Sequence, residues 1–225
     1  MEKTERLRTW ALFGYPEHSV AWEYLSAFDY PWEALDGIAE LVRRLGERLP
    51  ESEWTRLGED VWISKSARVA SSASVQGPAI IGARSELRQG AYVRGAVLVG
   101  EDCVVGNSVE LKNCILFDGV QVPHFNYVGD SILGYRAHMG AGAVTSNVKS
   151  DKTPVCIRVG EERIETGRKK LGAMLGDYVE VGCNSVLNPG SIVGKNTSIY
   201  PLSSVRGVVP ENTICKNGKI VKKNQ

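Results

Sequence analysis

The 225-residue chain has no apolar run approaching the roughly 20 residues that a membrane-spanning helix needs, so no membrane segment is expected. Its first residues, Met1-Glu2-Lys3-Thr4-Glu5-Arg6, lack the apolar core of a signal peptide. The five cysteines (Cys103, Cys114, Cys156, Cys183, Cys215) are scattered, odd in number and form no CxxC pair. That pattern excludes a disulfide frame or cysteine zinc site and reads as reduced thiols in a cytoplasmic protein. Charge of one sign is missing too: 27 Lys and Arg face 26 Asp and Glu. A net charge of +1 supplies no global field for nucleic acid or an anionic membrane. The segment Gly140-Ala141-Gly142 lacks the Lys-Ser/Thr and the strand-to-helix context of a phosphate loop. Its small residues instead allow a ligand to approach the backbone.

What is present is a repeat. From Val69, large apolar residues recur every six positions through Val75, Ile81, Leu87, Val93, Val99, Val105, Leu111 and Phe117. Small or β-branched residues such as Ala73, Ala79, Ser85, Ala91 and Val97 follow four positions later. A second run holds the same period at Leu175, Val181, Leu187, Val193, Ile199 and Val205, with Leu133 and Met139 as a partial pair between. A period of six fits neither a helix nor simple strand alternation. It fits a short strand plus a turn, stacked coil on coil, because one such strand buries almost nothing alone. The expected fold is an all-β solenoid, a parallel β-helix over residues 58–212.

Two stretches depart from the repeat. Residues 1–57 are rich in Trp, Leu, Ala and Glu, and Ile38, Leu41, Val42 and Leu45 are spaced for one apolar helix face. They predict a small helical cap over the open end of the solenoid. Within residues 148–170, Val155-Cys156-Ile157-Arg158-Val159, a polar turn and Ile164-Glu165-Thr166 spell an inserted hairpin. Residues 213–225 read as a terminal hairpin and a solvated tail.

Candidate chemistry gathers where the repeat falters. His124, next to Pro123, is expected to project from the solenoid, and a near-neutral imidazole suits proton removal from an attacking amine. A decorative loop histidine is the alternative reading. Glu110 lies 14 residues earlier, close to one coil, where a carboxylate can orient the imidazole. Arg94 and Lys112 are 18 apart and should stack as a vertical pair of cations, either a phosphate clamp or a solvated pair. His124 and His138 have no third histidine nearby, which argues against a three-histidine zinc site, and no metal is expected.

Three strings carry a family resemblance: Gly106-Asn107-Ser108-Val109-Glu110-Leu111-Lys112-Asn113, His124-Phe125-Asn126-Tyr127-Val128-Gly129-Asp130-Ser131 and Met139-Gly140-Ala141-Gly142-Ala143-Val144-Thr145-Ser146-Asn147. They resemble the C-terminal acetyltransferase domain of the bifunctional N-acetylglucosamine-1-phosphate uridyltransferase/glucosamine-1-phosphate acetyltransferases. Thr166-Gly167-Arg168-Lys169-Lys170-Leu171-Gly172 is similar to the archaeal-type sugar-1-phosphate nucleotidylyltransferases that carry the same domain. The resemblance spans about residues 60–215 and implies a left-handed β-helix assembled as a homotrimer, with sites between subunits. It implies acetyl-CoA as co-substrate and an amino-sugar phosphate or sugar nucleotide as acceptor. By the same resemblance His124 is the base, Glu110 its supporting carboxylate and Asn147 an active-site amide near the amine and thioester. Arg94, Lys112 and Tyr127 fall on acceptor-binding positions, and Ala141, Cys183 and Pro201 on the acetyl-CoA groove.

This chain departs from the bacterial pattern at His138, where Asn is usual and an acceptor contact is implied, and at Val148, where Tyr is usual. Lys149 and Lys152 are the candidates for a further acceptor-binding lysine. The chain also lacks a Gly-rich nucleotide loop and an Asp cluster for Mg²⁺, so a sugar nucleotide would come from a separate nucleotidyltransferase. The implied reaction is direct N-acetyl transfer, with backbone N–H groups near Ala141 and Asn147 stabilising the oxyanion. The alternatives are a non-catalytic β-helix that binds a sugar nucleotide and scaffolds a partner enzyme, and acyl transfer to a different amine or hydroxyl.

Overall fold

In the computed structural model, which describes residues 4–223, the hexads wind into a parallel β-helix with three faces. The first face stacks Val61–Ser64, Ala79–Ile81, Val97–Val99, the second halves of Glu110–Leu116 and Tyr127–Leu133, then Ala173–Leu175, Ser191–Val193 and Val208–Val209. The second carries Arg68–Val69, Glu86–Leu87, Val104–Asn107, Gln121–His124, His138–Met139, Glu180–Val181, Ser198–Ile199 and Thr213–Lys216. The third carries Ser74–Val75, Tyr92–Val93, the first halves of Glu110–Leu116 and Tyr127–Leu133, then Val144–Thr145, Val186–Leu187 and Ser204–Val205. Parallel pairing follows from the winding: each strand meets the strand one coil later in the same direction.

The repeat positions from Ile81 to Leu111 point inward and are fully buried, as are Leu133, Met139 and the run from Leu175. Val69, at 38% exposed, and the half-buried Val75 are exceptions, because they lie in the first coil, with no neighbour beneath them. Phe117, although buried, departs from the repeat in another way. Coils of 18 residues (Val61 with Ala79, Ala79 with Val97) shorten to 17 (Val97 with Cys114, Cys114 with Ser131). Leu116 therefore takes the inward rung opposite Val99, and Phe117 turns away at the corner to stack on Phe13, with ring centroids 5.0 Å apart. The missing residue in each shortened coil is lost at the corner after the third face, where Asn113 and Asp130 sit at positive φ (49° and 48°).

Residues 4–53 do not close the open end. They lie along the first face, with the helix Ile38–Gly46 over its early strands and the turn Pro31–Gly37 over a later one. The reason is a column of outward apolar side chains on that face: Trp62, Ile80, Leu98, Ile115, Ile132, Met174 and Ile192, each at most 4% exposed. Strands buried on both faces read as continuous apolar runs, here Ala79-Ile80-Ile81 and Val97-Leu98-Val99. Ile38, Leu41 and Val42 of the helix join this core, and its Gly46 lies directly against the Trp62 ring, where a Cβ would come within 2.3 Å. At the first coil Trp54–Arg56 covers the sheet edge, pairing antiparallel with Val61–Ser64.

Residues Cys156–Val159 and Glu162–Glu165 form an antiparallel hairpin on the loop that leaves the solenoid at the corner after the third face, beyond Asn147. The chain rejoins the solenoid at Leu171, and Ile132 pairs with Met174, 42 residues later. Thr213–Lys216 and Lys219–Lys222 pair as a terminal hairpin, and Asn224 and Gln225 lie outside the described residues. Among the described residues no helix is long and apolar enough to cross a membrane.

The outward column makes a direct forecast. Leu98→Ala should lower unfolding free energy by about 2–5 kcal/mol in urea titration, the usual cost of a buried leucine-to-alanine cavity. Val69→Ala, at the open coil, should change it by less than about 0.5 kcal/mol.

Candidate active site

The third face is bounded by two corners, and the sequence-predicted residues divide between them. At the corner entering it, His124 ends its strand with Asn107 as its coil neighbour below. A continuous backbone ladder climbs from there. The Gly142 N–H donates to the His124 carbonyl (3.0 Å), Asn184 N–H to Ala141 (2.8 Å) and Leu202 N–H to Cys183 (2.9 Å). His124, Ala141, Cys183 and Pro201 thus form one vertical column, and His124, Cys183 and Pro201 in it are exposed. Small residues keep its surface shallow: a Cβ on Gly140 would meet the Cys183 backbone at 2.8 Å, and one on Gly182 the Pro201 nitrogen at 2.4 Å.

Asn126 shapes this corner from inside. It is 2% exposed, accepts from the His124 N–H (3.2 Å) and donates to the carbonyls of Gly140 (2.8 Å) and Ala143 (3.0 Å). A buried amide satisfied on both ends fixes the turn that presents His124. Next to it, Phe125 stands 61% exposed at positive φ.

At the opposite corner the polar groups converge on Asp130. Its carboxylate, 2% exposed, accepts from Lys112 Nζ (3.0 and 3.2 Å), Asn113 Nδ2 (2.9 Å) and Asn147 Nδ2 (2.6 Å). Lys112, Asp130 and Asn147 come from three successive coils, so one buried charge ties them together. Such a charge needs this full set of donors to be tolerated. Asn147 Nδ2 also donates to the Tyr127 hydroxyl at 3.0 Å. Tyr127 reaches across because Gly129 beside it has no side chain; a Cβ there would sit 2.4 Å from the hydroxyl. Burial, then the charges of Asp130 and Glu110, push the Tyr127 phenol up, so it stays a neutral donor.

Arg94 and Lys112 stack one coil apart as the spacing predicted, since Val93 pairs with Leu111. Glu110 does not reach His124. The 17-residue coil puts it beneath Tyr127, and its carboxylate accepts from Arg94 Nη1 at 2.6 Å, which raises the Arg94 pKa. Among the described residues no carboxylate bonds to the His124 ring. His138 lies back on the second face, where its Nδ1 meets Glu180 Oε2 at 2.7 Å. Lys149 is held by Thr153 and Asp151, away from the Asp130 cluster, and Lys152 is exposed. Burial pushes the Cys103 thiol up to about 12 and raises Cys114 as well, so neither supplies a thiolate.

Sequence reasoning passed over Asp130 and Asn126. The signal for Asp130 was the slip in the hexad period itself, since the shortened corners at Asn113 and Asp130 bring the three coils' polar groups together.

The sequence family described as the GMPPB C-terminal domain matches residues 75–193, just over half of the chain. The chain belongs to the GMPPB C-terminal domain family. The match includes both corners of the third face. Among relatives, the bifunctional sugar-1-phosphate nucleotidylyltransferase/acetyltransferase of Sulfurisphaera tokodaii is 37% identical over 110 residues, covering 49% of this chain and 27% of that protein. The bifunctional protein GlmU of Methanocaldococcus jannaschii is 36% identical over 123 residues, covering 55% and 30%. The alignments thus span under a third of these relatives. Of solved structures, the acetyltransferase domain of PglB from Neisseria gonorrhoeae aligns with a TM-score of 0.34 at 14% identity, covering 72% of this chain and 57% of that one.

In this GMPPB C-terminal domain, Asp130→Ala should cost about 1–3 kcal/mol by denaturant titration, because Lys112 and Asn147 lose a shared buried acceptor. Glu180→Ala, which removes the exposed partner of His138, should cost under about 0.5 kcal/mol.

Proposed function

We propose that the chain is an acetyl-CoA-dependent N-acetyltransferase acting on a hexosamine 1-phosphate or a related amino-sugar nucleotide. The observation that carries this reading is the column in which an exposed histidine continues into the shallow groove of Ala141, Cys183 and Pro201. Across the third face stand the stacked cations Arg94 and Lys112, with Lys112 in register with Gly129 of the strand that follows His124. The long side chains of these cations can reach over the face toward the phosphate of an amino sugar whose amine stands at His124. The relative named as a bifunctional sugar-1-phosphate nucleotidylyltransferase/acetyltransferase supports the same class.

The acetyl-CoA arm would lie along the column with its thioester at His124. The neutral acceptor amine attacks the acetyl carbonyl, forming the C–N bond, and His124 takes the amine proton. The Ala141 N–H, which makes no intrachain hydrogen bond among the described residues, is a backbone donor on this column for the oxyanion. The C–S bond then breaks, and the imidazolium returns its proton to the departing thiolate. Asp130 holds Lys112 and Asn147 for the acceptor, and Glu110 holds Arg94. The proposal includes a homotrimer, supported by Phe125 and Leu202, exposed at 61% and 80% on the column that carries the site. Large apolar groups so placed favour contact with another surface.

A second reading, a β-helix that binds a sugar nucleotide without transfer, draws on the absence of a carboxylate at the His124 ring among the described residues. The two separate cleanly. His124→Ala should lower kcat about 100-fold or more, the scale of general-base catalysis, with acetyl-CoA affinity unchanged by calorimetry. Acetyl-CoA binding with no transfer in the wild type would favour the silent β-helix. Light scattering should give three times the chain mass, and Phe125→Asp should lower it.

A further inference from the structure

The corner that carries Asp130 opens onto more positive charge than one phosphate requires. Beside it lies a cavity of about 400 Å³ lined by Asp36, Lys112, Asn113, Asp130 and Gly167 through Lys170. A neighbouring depression of about 350 Å³ contains Arg94 and shares Lys112 and Asn113 as its wall. The two form one trough, with Lys112 at its middle.

Its charges can be counted. Arg94, Lys112, Arg168, Lys169 and Lys170 supply five cations. Three carboxylates answer them, each on one partner: Glu110 on Arg94, Asp130 on Lys112 and Asp36 on Arg168. Lys169 and Lys170 are exposed, and no carboxylate lies within ion-pair distance of either among the described residues. The surplus is therefore two positive charges, both in the half of the trough away from Arg94.

Arg168 is the built part of that half. Its side chain is only 14% exposed, while Asp36, which accepts from Nη1 at 2.8 Å and Nη2 at 2.5 Å, is 83% exposed. Its Nε is buried with no acceptor, the one such side-chain atom among the described residues. A guanidinium fixed by its surroundings and bound to a carboxylate that stands in water presents the fork that a phosphoryl group matches equally well. The backbone around it is ordered: Val155 N–H donates to the Arg168 carbonyl at 2.7 Å, and Lys170 bridges to Val148 beside Asn147.

We propose that Arg168, Lys169 and Lys170 form a second anion subsite, which receives a further phosphoryl group of the acceptor beyond the one met by Arg94 and Lys112. The acceptor is then an amino sugar linked through a diphosphate, whose second phosphoryl group meets the surplus charge of Lys169 and Lys170. The inference rests on the reading of Arg94 and Lys112 as the acceptor-phosphate pair. Asp36 gives the subsite its tie to the segment over the first face, since a phosphoryl group that takes the Arg168 fork displaces it.

The test uses the full chain, wild type and Lys169→Ala/Lys170→Ala, with matched thermal denaturation confirming that both fold. One amino sugar is supplied as its 1-phosphate and as its nucleoside-diphosphate derivative. In the wild type kcat/KM should favour the diphosphate-linked form, and the double variant should lower that preference by about tenfold or more, the loss of one to two charge-assisted contacts. Activity on the 1-phosphate alone, or an unchanged preference in the variant, would overturn the subsite. Calorimetry with inorganic pyrophosphate and phosphate is the independent arm. Pyrophosphate should bind the wild type about tenfold more tightly than phosphate, and the difference should vanish in the variant. Equal binding of the two ions by the wild type counts against the subsite. If no acceptor is acetylated, the acetyltransferase reading fails while the pyrophosphate arm still decides the inference.

Discussion

The coil-to-coil hydrogen-bond ladder sets the position of every group discussed above, because it converts spacing along the chain into height on the solenoid. Strands one coil apart are bonded in fixed register, so a change of one residue per coil moves everything downstream by one place. Coils of 18 residues give way to coils of 17 at Asn113 and Asp130, and the saving is taken at a single corner. That shortening brings Lys112 and Asn147 within hydrogen-bond distance of Asp130. At the other end of the same face the ladder aligns His124 with Ala141 and Cys183. The face between them is where two reactants can meet.

The N-terminal segment answers a different constraint. A β-helix whose first face carries Ile80, Leu98, Ile115, Ile132 and Met174 pointing outward would expose an apolar stripe to water. Each such side chain contributes about 1.5–3 kcal/mol when buried. The helix Ile38–Gly46 and the turns before it cover that stripe, and in doing so they carry Asp36 to the edge of the polar corner. Covering the first face leaves the second and third, with His124 on the edge between them, as the surfaces open to ligand or to another subunit.

Much of the fold was legible because inward positions repeat. From Ile81 to Leu111 each predicted rung is buried. Legibility failed at Phe117, one residue beyond the true rung at Leu116, since a large apolar side chain at the corner mimics the repeat while packing on Phe13. It failed again at Thr145, an inward position held by a polar residue whose hydroxyl accepts from the Gly129 N–H at 2.9 Å. The segment over the first face was misplaced because an amphipathic helix shows that it must pack, not against what. The run Val97-Leu98-Val99, apolar at every position, held that information. Of the candidate site, the Arg94–Lys112 stack could be read from spacing, but the partner of Glu110 could not. Fourteen residues fall short of a full coil, and the missing three carry the chain round a corner from His124.

The proposed chemistry is transfer of an acetyl group to an amine held across the third face. Its most direct measurement is release of free coenzyme A from acetyl-CoA in the presence of amino-sugar phosphates and nucleotide amino sugars, each paired with the sugar bearing a hydroxyl in place of the amine. Stoichiometric release with at least one amino sugar, and none with its hydroxyl counterpart, is the predicted result. Tight binding of acetyl-CoA without release above background for any amine, or equal release with the hydroxyl sugars, would contradict it.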